Sequence, residues 1–238
     1  MINMKNVLVC NNCKKENPFY SMICSNCNSF LRSKIPNIDL WETIGKLIEI
    51  PTQAFGKIIQ AENKNFVVTL MIIVCVKLSL AAMIIYNAFY SVNGVPITFL
   101  NSFLLGGVPS IILLSFFSLM ITFSNKFFGI ENRSKDNFAV YIFSFIPMIG
   151  GLFVLTPIQF ALFGEYWFTF NPSPLLMKPV PFLILLIIEG LLFIWSSILF
   201  IVATYSQTRN KIYSTCAGVI LALLIVGVIY FRNLVSYF

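Results

Sequence analysis

Histidine is missing from this 238-residue chain. Its absence excludes Ser-His-Asp hydrolysis, HExxH metal chemistry and imidazole general bases together. Charge is scarce as well. Asp, Glu, Lys and Arg make up 11% of the residues, where soluble domains carry about a quarter. There is no P-loop, no GxSxG and no GxGxxG opening a helix, so the common nucleotide and nucleophile signals are missing. A cleavable leader is not expected either. Residues 1–9 carry one Lys and a short apolar patch, not the apolar run of about 7–15 residues that a secretory signal needs.

What is abundant is apolar. Hydrophobic residues form 58% of the chain and the mean hydropathy is +0.86, which points to several membrane spans rather than one large soluble core. The net charge is +7. Its basic residues are scattered at segment ends, so topology and anionic headgroups explain it better than nucleic acid does.

Three zones follow one another. Residues 1–34 are polar and cysteine-rich, 35–64 are amphipathic, and 65–238 alternate apolar runs with short breaks. In the middle zone Asp39 is placed to cap a helix, with Glu42 completing a capping-box pattern. Leu40, Trp41, Ile44, Leu47 and Ile48 form one apolar stripe. Glu42 and Lys46 form a favourable i to i+4 pair on the opposite side, and Pro51 ends or kinks the helix. The stripe suits two partners equally: the headgroup region, with Trp41 as anchor, or the chain's own spans.

A bilayer core about 30 Å thick needs about 20 helical residues. Five stretches suffice, near 66–90, 103–124, 138–163, 182–205 and 213–231. Backbone groups in lipid must bond within their own segment, so all five are expected as helices. Most basic residues lie in the first 64 residues, in the loop after span two (Lys126, Arg133, Lys135) and in the loop after span four (Arg209, Lys211). The other loops and the far end hold Lys178 and Arg232, and the stretch from Val92 to Leu100 holds none. The positive-inside rule then places the N-terminus in the cytoplasm and the C-terminus outside, across a plasma or inner membrane if the chain is prokaryotic. Tyr86, Tyr90, Tyr166 and Trp167 fall near the outer ends, where interfacial aromatics belong.

The stretch CNNCKKENPFYSMICSNC, residues 10–27, carries two CxxC pairs. Cys10, Cys13, Cys24 and Cys27 can close a tetrahedral zinc site of the structural kind. The ten residues between the pairs allow a small hairpin, and metal would supply stability that so few apolar residues cannot. The competing disulfide reading fits poorly with a reducing cytoplasm. A redox CxxC would normally come with a βαβ pattern. Cys75 and Cys216, alone in spans, are expected as apolar filler.

Two charged residues fall well inside the spans, Lys77 and Glu189. Each costs roughly 2.5–3.5 kcal/mol on insertion scales and usually faces protein. Their depths in the bilayer agree to about 4 Å at 1.5 Å per residue, so an ion pair joining spans one and four is expected. Structural glue is its first role, and a substrate or proton pathway is the second. Gly106, Gly107 and Pro109 in span two, and Pro147, Gly150, Gly151 and Pro157 in span three, mark bends and close helix approach.

LWETIGKLIEIPTQAF before the first span, the five spans and KDNFAVYIFSFIP opening the third resemble the Yip family of membrane proteins over residues 39–238. The resemblance implies a five-span helical fold with a cytoplasmic N-terminus and no enzymatic activity. In eukaryotic members it implies membrane trafficking or shaping; their DLYGP-type segment has no equivalent here, so Rab binding is not carried over.

The expected protein is therefore an all-α integral membrane protein, with five transmembrane helices preceded by a zinc ribbon and an amphipathic helix. Zinc is its one expected cofactor. The expected partners are the lipid bilayer and a cytoplasmic protein at the ribbon, with self-association left open and nucleic acid not expected. A small transporter or channel component using Lys77 and Glu189 is the alternative. A membrane enzyme comes third, with Glu131, Asp136 and Glu165 as its few interfacial carboxylates.

Overall fold

A computed structural model describes residues 6–90 and 96–235; the side chains of Tyr90 and of residues 231–235 are outside that description. Lys5, most of the loop after the first span and the side chains of Tyr90 and Arg232 therefore lie outside the described residues. The chain opens with a two-stranded antiparallel sheet, β1 (Val7–Val9) and β2 (Glu16–Pro18), with Val7 opposite Pro18 and Val9 opposite Glu16. Two amphipathic helices follow, α1 (Leu40–Glu49) and α2 (Pro51–Gln60). Asp39 caps α1 as expected, its Oδ1 accepting the Glu42 backbone N–H at 2.9 Å. Pro51 ends α1 and opens α2 in the first helical turn, where a missing N–H costs nothing.

Five helical stretches are long and apolar enough to cross a membrane. The first is α3 (Val67–Tyr90). The second joins α4 (Phe99–Ser102), a π-helical turn at Phe103–Gly107 and α5 (Val108–Phe127). The third is α6 (Ser134–Phe143) followed by α7 (Ile146–Phe163). The short helices α8 (Tyr166–Thr169) and α9 (Pro174–Met177) lead to the fourth span, α10 (Pro179–Thr208), and the fifth is α11 (Lys211–Val235). The spans thus match the five apolar stretches, the second to the fifth being a few residues longer at one or both ends.

The expected bends have local causes. Pro147 lacks the N–H that would bond to the carbonyl of Phe143, and the third span breaks at Ser144 and Phe145 just before it. The wide turn at Phe103–Gly107 lies over the paired glycines. A Cβ on Gly106 would come within 2.5 Å of the Ala82 Cβ, and one on Gly107 within 2.8 Å of the Cys75 carbonyl oxygen. These glycines let the turn lie directly on α3. Gly151 packs closely too, against Leu192, whereas Gly150 faces open space. In the apolar 18-residue window of each span, 67% of the third is buried but only 22% of the fourth, so the third is the one most shielded from lipid.

The residues group into two compact units, each assembled from separate stretches. The first comprises Met1–Val68, Ser115–Ser144 and Ile198–Ile220; the second comprises Thr69–Leu114, Phe145–Ser197 and Leu221–Phe238. In the first, Tyr141 is fully buried and its hydroxyl meets the Thr204 Oγ1 at 2.9 Å. A Cβ on Gly218 would come within 2.8 Å of the Ile201 backbone nitrogen, so α11 and α10 touch backbone to backbone there. In the second unit the Trp167 ring lies 5.4 Å from Phe163 and 5.5 Å from Phe182, at the centre of an aromatic core with Leu155 and Leu185.

One expectation about a single residue is corrected. Trp167 is not an interfacial aromatic; it is 2% exposed, because its large ring fills the space between Phe163 and Phe182. Cys75 is buried, and Cys216 is exposed on the apolar helix α11.

Candidate functional site

The four N-terminal thiols come together. Their sulfur atoms all lie within 4.8 Å of one another, with Cys10 to Cys27 and Cys13 to Cys24 both at 3.5 Å. A disulfide would bring sulfurs to about 2.05 Å, so these are free thiols. A tetrahedral ion with metal–sulfur bonds of about 2.3 Å would set sulfur–sulfur edges near about 3.8 Å. The cluster fits that dimension, and the four cysteines could hold a metal ion.

Local sequence explains how the thiols converge. The two CxxC pairs fold into the same turn. In the first, the Lys14 N–H bonds to the Cys10 carbonyl at 3.0 Å and the Cys10 N–H bonds to the Lys15 carbonyl at 3.0 Å. In the second, the Asn28 N–H bonds to the Cys24 carbonyl at 3.1 Å and the Cys24 N–H bonds to the Ser29 carbonyl at 2.9 Å. Lys14 and Asn28 occupy matching left-handed conformations, with φ of 58° and 55°. The β1–β2 pairing brings one turn, and the Ile23–Phe30 bridge the other, so that both point thiols at one centre.

Donors surround the sulfurs. The Asn26 N–H approaches the Cys24 sulfur at 3.5 Å and the Asn17 Nδ2 at 3.6 Å. The Ser29 hydroxyl lies 3.0 Å from the Cys10 sulfur and 3.1 Å from that of Cys27. The Ser29 hydroxyl and backbone N–H push the Cys27 thiol down to about 5. Backbone N–H groups of Asn26 and Cys27 lower that of Cys24 as well. Four thiolates around a divalent ion leave two excess negative charges, and such N–H and O–H donors are the groups that stabilise them. Asn17, 2% exposed, also accepts the Ser25 N–H at 3.0 Å, tying β2 to the second turn.

The ribbon is fastened to helices of its own unit. Arg32 donates to the Tyr20 carbonyl at 2.7 Å and the Gln60 carbonyl, at the end of α2, at 2.8 Å. The Arg133 guanidinium lies 4.4 Å above the Tyr20 ring, and the Asn6 side chain donates to the Ser206 carbonyl at 2.8 Å. The expected cation Lys64 meets the buried Asp136 at 2.9 Å, and Arg133 reaches the same carboxylate at 2.8 Å. The sequence alone marks Asp136 only as an interfacial carboxylate, and Lys64 and Arg133 only as positive charges bearing on topology.

In the second unit the intramembrane pair forms. The Lys77 Nζ donates to both Glu189 oxygens, at 2.7 and 2.8 Å. Lys77 lies ~15 Å along α3 from Val67, and Glu189 ~15 Å along α10 from Pro179, about the half-thickness of a hydrocarbon core. A third member joins them. Gln159 of α7, 1% exposed, donates through Nε2 to the Glu189 Oε1 at 3.0 Å. Its signal in the sequence is an amide inside an apolar run, which in lipid needs a partner. The carboxylate thus ties three helices.

No protein-family model, curated protein or solved structure matches this chain.

Proposed function

We propose that this chain is a non-enzymatic integral membrane protein of Yip type, whose N-terminal ribbon holds one zinc ion on the cytoplasmic side and presents a surface to a cytoplasmic protein partner. The observation that carries the reading is a pair of uncovered apolar residues on the ribbon. Ile23 and Phe30 face each other across a bridge beside the thiols, and Phe30 is 84% exposed. An apolar pair held at the surface of a fixed module is what a docking site needs. Four thiolates leave no open coordination position, which supports a structural ion; sulfur-only ligation with tetrahedral spacing supports zinc.

Charge supports the orientation. Lys77, Lys178 and Arg232 belong to the second unit, and the other lysines and arginines belong to the first, with the ribbon. The positive-inside rule then favours a cytoplasmic side for the ribbon and for the loops that carry Lys126, Arg133, Lys135, Arg209 and Lys211. In α1, Leu47 is buried while Trp41 and Ile48 are uncovered, which favours Trp41 as a headgroup anchor. A role in membrane organisation or trafficking is the natural extension.

The test is cross-linking from intact membranes followed by identification of captured cytoplasmic proteins. A protein captured by the natural chain and lost in both Phe30→Ala and Cys24→Ser supports the reading. The same captures in all three would end it. The transport alternative rests on Lys77 and Glu189. That pair closes on itself through two hydrogen bonds, which favours glue; solute flux in reconstituted vesicles, abolished by Glu189→Gln, would favour transport instead.

A further inference from the structure

Where α1 begins beside α2, wholly within the first unit, lies a polar cavity of about 110 Å³ lined by Asn37, Asp39, Glu42, Thr43 and Lys57 among others. Its charges are unevenly paired. Two lysines share Glu42, both on Oε1, Lys46 at 2.6 Å and Lys57 at 2.5 Å, so positive charge is in surplus there. A Lys ammonium has three N–H groups, and Lys57 uses one of them. Asp39 is the opposite case. Its Oδ1 accepts the Glu42 N–H at 2.9 Å, and no cation meets its carboxylate among the described residues. Thr43 is the buried member, 4% exposed. Its hydroxyl makes no hydrogen bond among the described residues, yet its oxygen is not sealed off, so it opens on the cavity that it lines. A buried hydroxyl ordinarily has a partner, and one on a helix can take the carbonyl four residues back. The cavity therefore offers spare ammonium N–H groups beside Glu42, and an uncompensated carboxylate with an unused hydroxyl beside Asp39. A simple anion would be repelled by Asp39, and a metal cation by the lysines. A ligand that carries both signs satisfies both.

We infer that this cavity binds a zwitterion with a primary ammonium and a phosphate a few bonds apart, the ammonium donating to Asp39 and Thr43 and the phosphate accepting from Lys57. Two sources share the chemistry: the headgroup of phosphatidylethanolamine, and a free phosphoethanolamine ester in water. The lipid source rests on the reading of Trp41, 80% exposed and two residues from Asp39, as a headgroup anchor. The chemistry of the cavity depends neither on that reading nor on the ribbon.

The full chain in phosphatidylcholine nanodiscs is titrated with glycerophosphoethanolamine, and in parallel with glycerophosphocholine, whose trimethylated nitrogen keeps the charge and has no N–H. Saturable binding of the first is expected, about tenfold tighter than the second, as one charge-assisted hydrogen bond would give. Asp39→Asn removes the charge and keeps the helix cap; Thr43→Val removes the hydroxyl and keeps the branched shape. The preference is expected to collapse in Asp39→Asn or Thr43→Val. Discs that contain phosphatidylethanolamine separate the sources. Weaker binding of glycerophosphoethanolamine there, through competition, identifies the lipid headgroup as the occupant, and equal binding identifies the free compound. Quenching by brominated lipid, taken as the difference between the natural chain and Trp41→Phe, checks the anchor by itself. Absence of saturable glycerophosphoethanolamine binding in phosphatidylcholine discs overturns the inference whatever the anchor does. Equal affinity for the two compounds in the natural chain overturns it, as does a preference that survives both variants. The comparison of the two compounds in the natural chain stands even where a variant fails to fold.

Discussion

The two units deal with buried charge in different ways. In the first, one buried carboxylate, Asp136, faces two cations, Lys64 at 2.9 Å and Arg133 at 2.8 Å. The surplus positive charge is taken up by backbone. Lys64 also donates to the carbonyls of Ile58, Ile59 and Ala61, and Arg133 to that of Ile59. In the second unit, Lys77 and Glu189 stand one to one, with the Gln159 amide as the third member. The cause is position along a helix. The last four carbonyls of α2 have no intrahelical donor and carry its negative dipole end, so a cation there finds acceptors ready. Mid-span, each carbonyl already bonds within its own helix, and a cation must be met by a carboxylate. A helix end can absorb an unequal number of charges; the middle of a span requires equal ones.

The largest effect expected on this comparison would come from the proposed metal. Structural zinc binding in small modules is worth about 10–16 kcal/mol, far more than any ion pair here. Cys24→Ser is expected to abolish amide hydrogen-exchange protection between Val7 and Leu31 while leaving amides around Glu189 unchanged. Loss of protection in both places would show that the ribbon supports the second unit as well.

Next come the charges. Glu189→Ala strands Lys77 in mid-span and is expected to cost about 3–5 kcal/mol, read as the shift in the denaturation midpoint in mixed micelles. Lys77→Met with Glu189→Met is expected to recover most of that loss. Asp136→Asn is expected to cost less, about 1–3 kcal/mol, because Lys64 and Arg133 keep their carbonyl partners. Equal losses at Glu189 and Asp136 would break the distinction between helix end and mid-span. Gly218→Ala and Gly107→Ala push a Cβ into neighbouring backbone, one in each unit, and are each expected to cost about 1–3 kcal/mol.

The smallest effect is at the surface. Lys46 and Lys57 hold Glu42 down to about 2. A carboxyl lowered on folding adds stability above its ordinary range, and that contribution fades as pH falls from about 4.5 towards 2. The group is exposed and screened, so Glu42→Gln is expected to shift the melting temperature by about 1 °C or less at neutral pH. The difference should vanish at high salt.

Much of this was legible in the sequence because its signals are local or energetically severe. The five spans follow from apolar length, and the α1 cap from Asp39 and Glu42. Cys10, Cys13, Cys24 and Cys27 share one chemistry at one spacing. Lys77 and Glu189 stand out because each is isolated in an apolar span and leaves few partners to choose from. What escaped depends on three-dimensional neighbours. Gln159 looks like any polar residue in a span until α7 is set beside α10. Trp167 has the composition of an interfacial anchor and becomes a core residue only because Phe163 and Phe182 close on it. Gly218 carries no sign that Ile201 lies against it. The grouping of residues 1–68 with 115–144 and 198–220 follows from packing, which zones of composition along the chain do not express.

The most direct test is the metal content of the full chain, purified without metal-affinity steps and measured by elemental mass spectrometry. One zinc ion per chain in the natural protein, and none in Cys24→Ser/Cys27→Ser, is the predicted result. A natural chain without bound metal, or one with the same zinc content as the double variant, would contradict it.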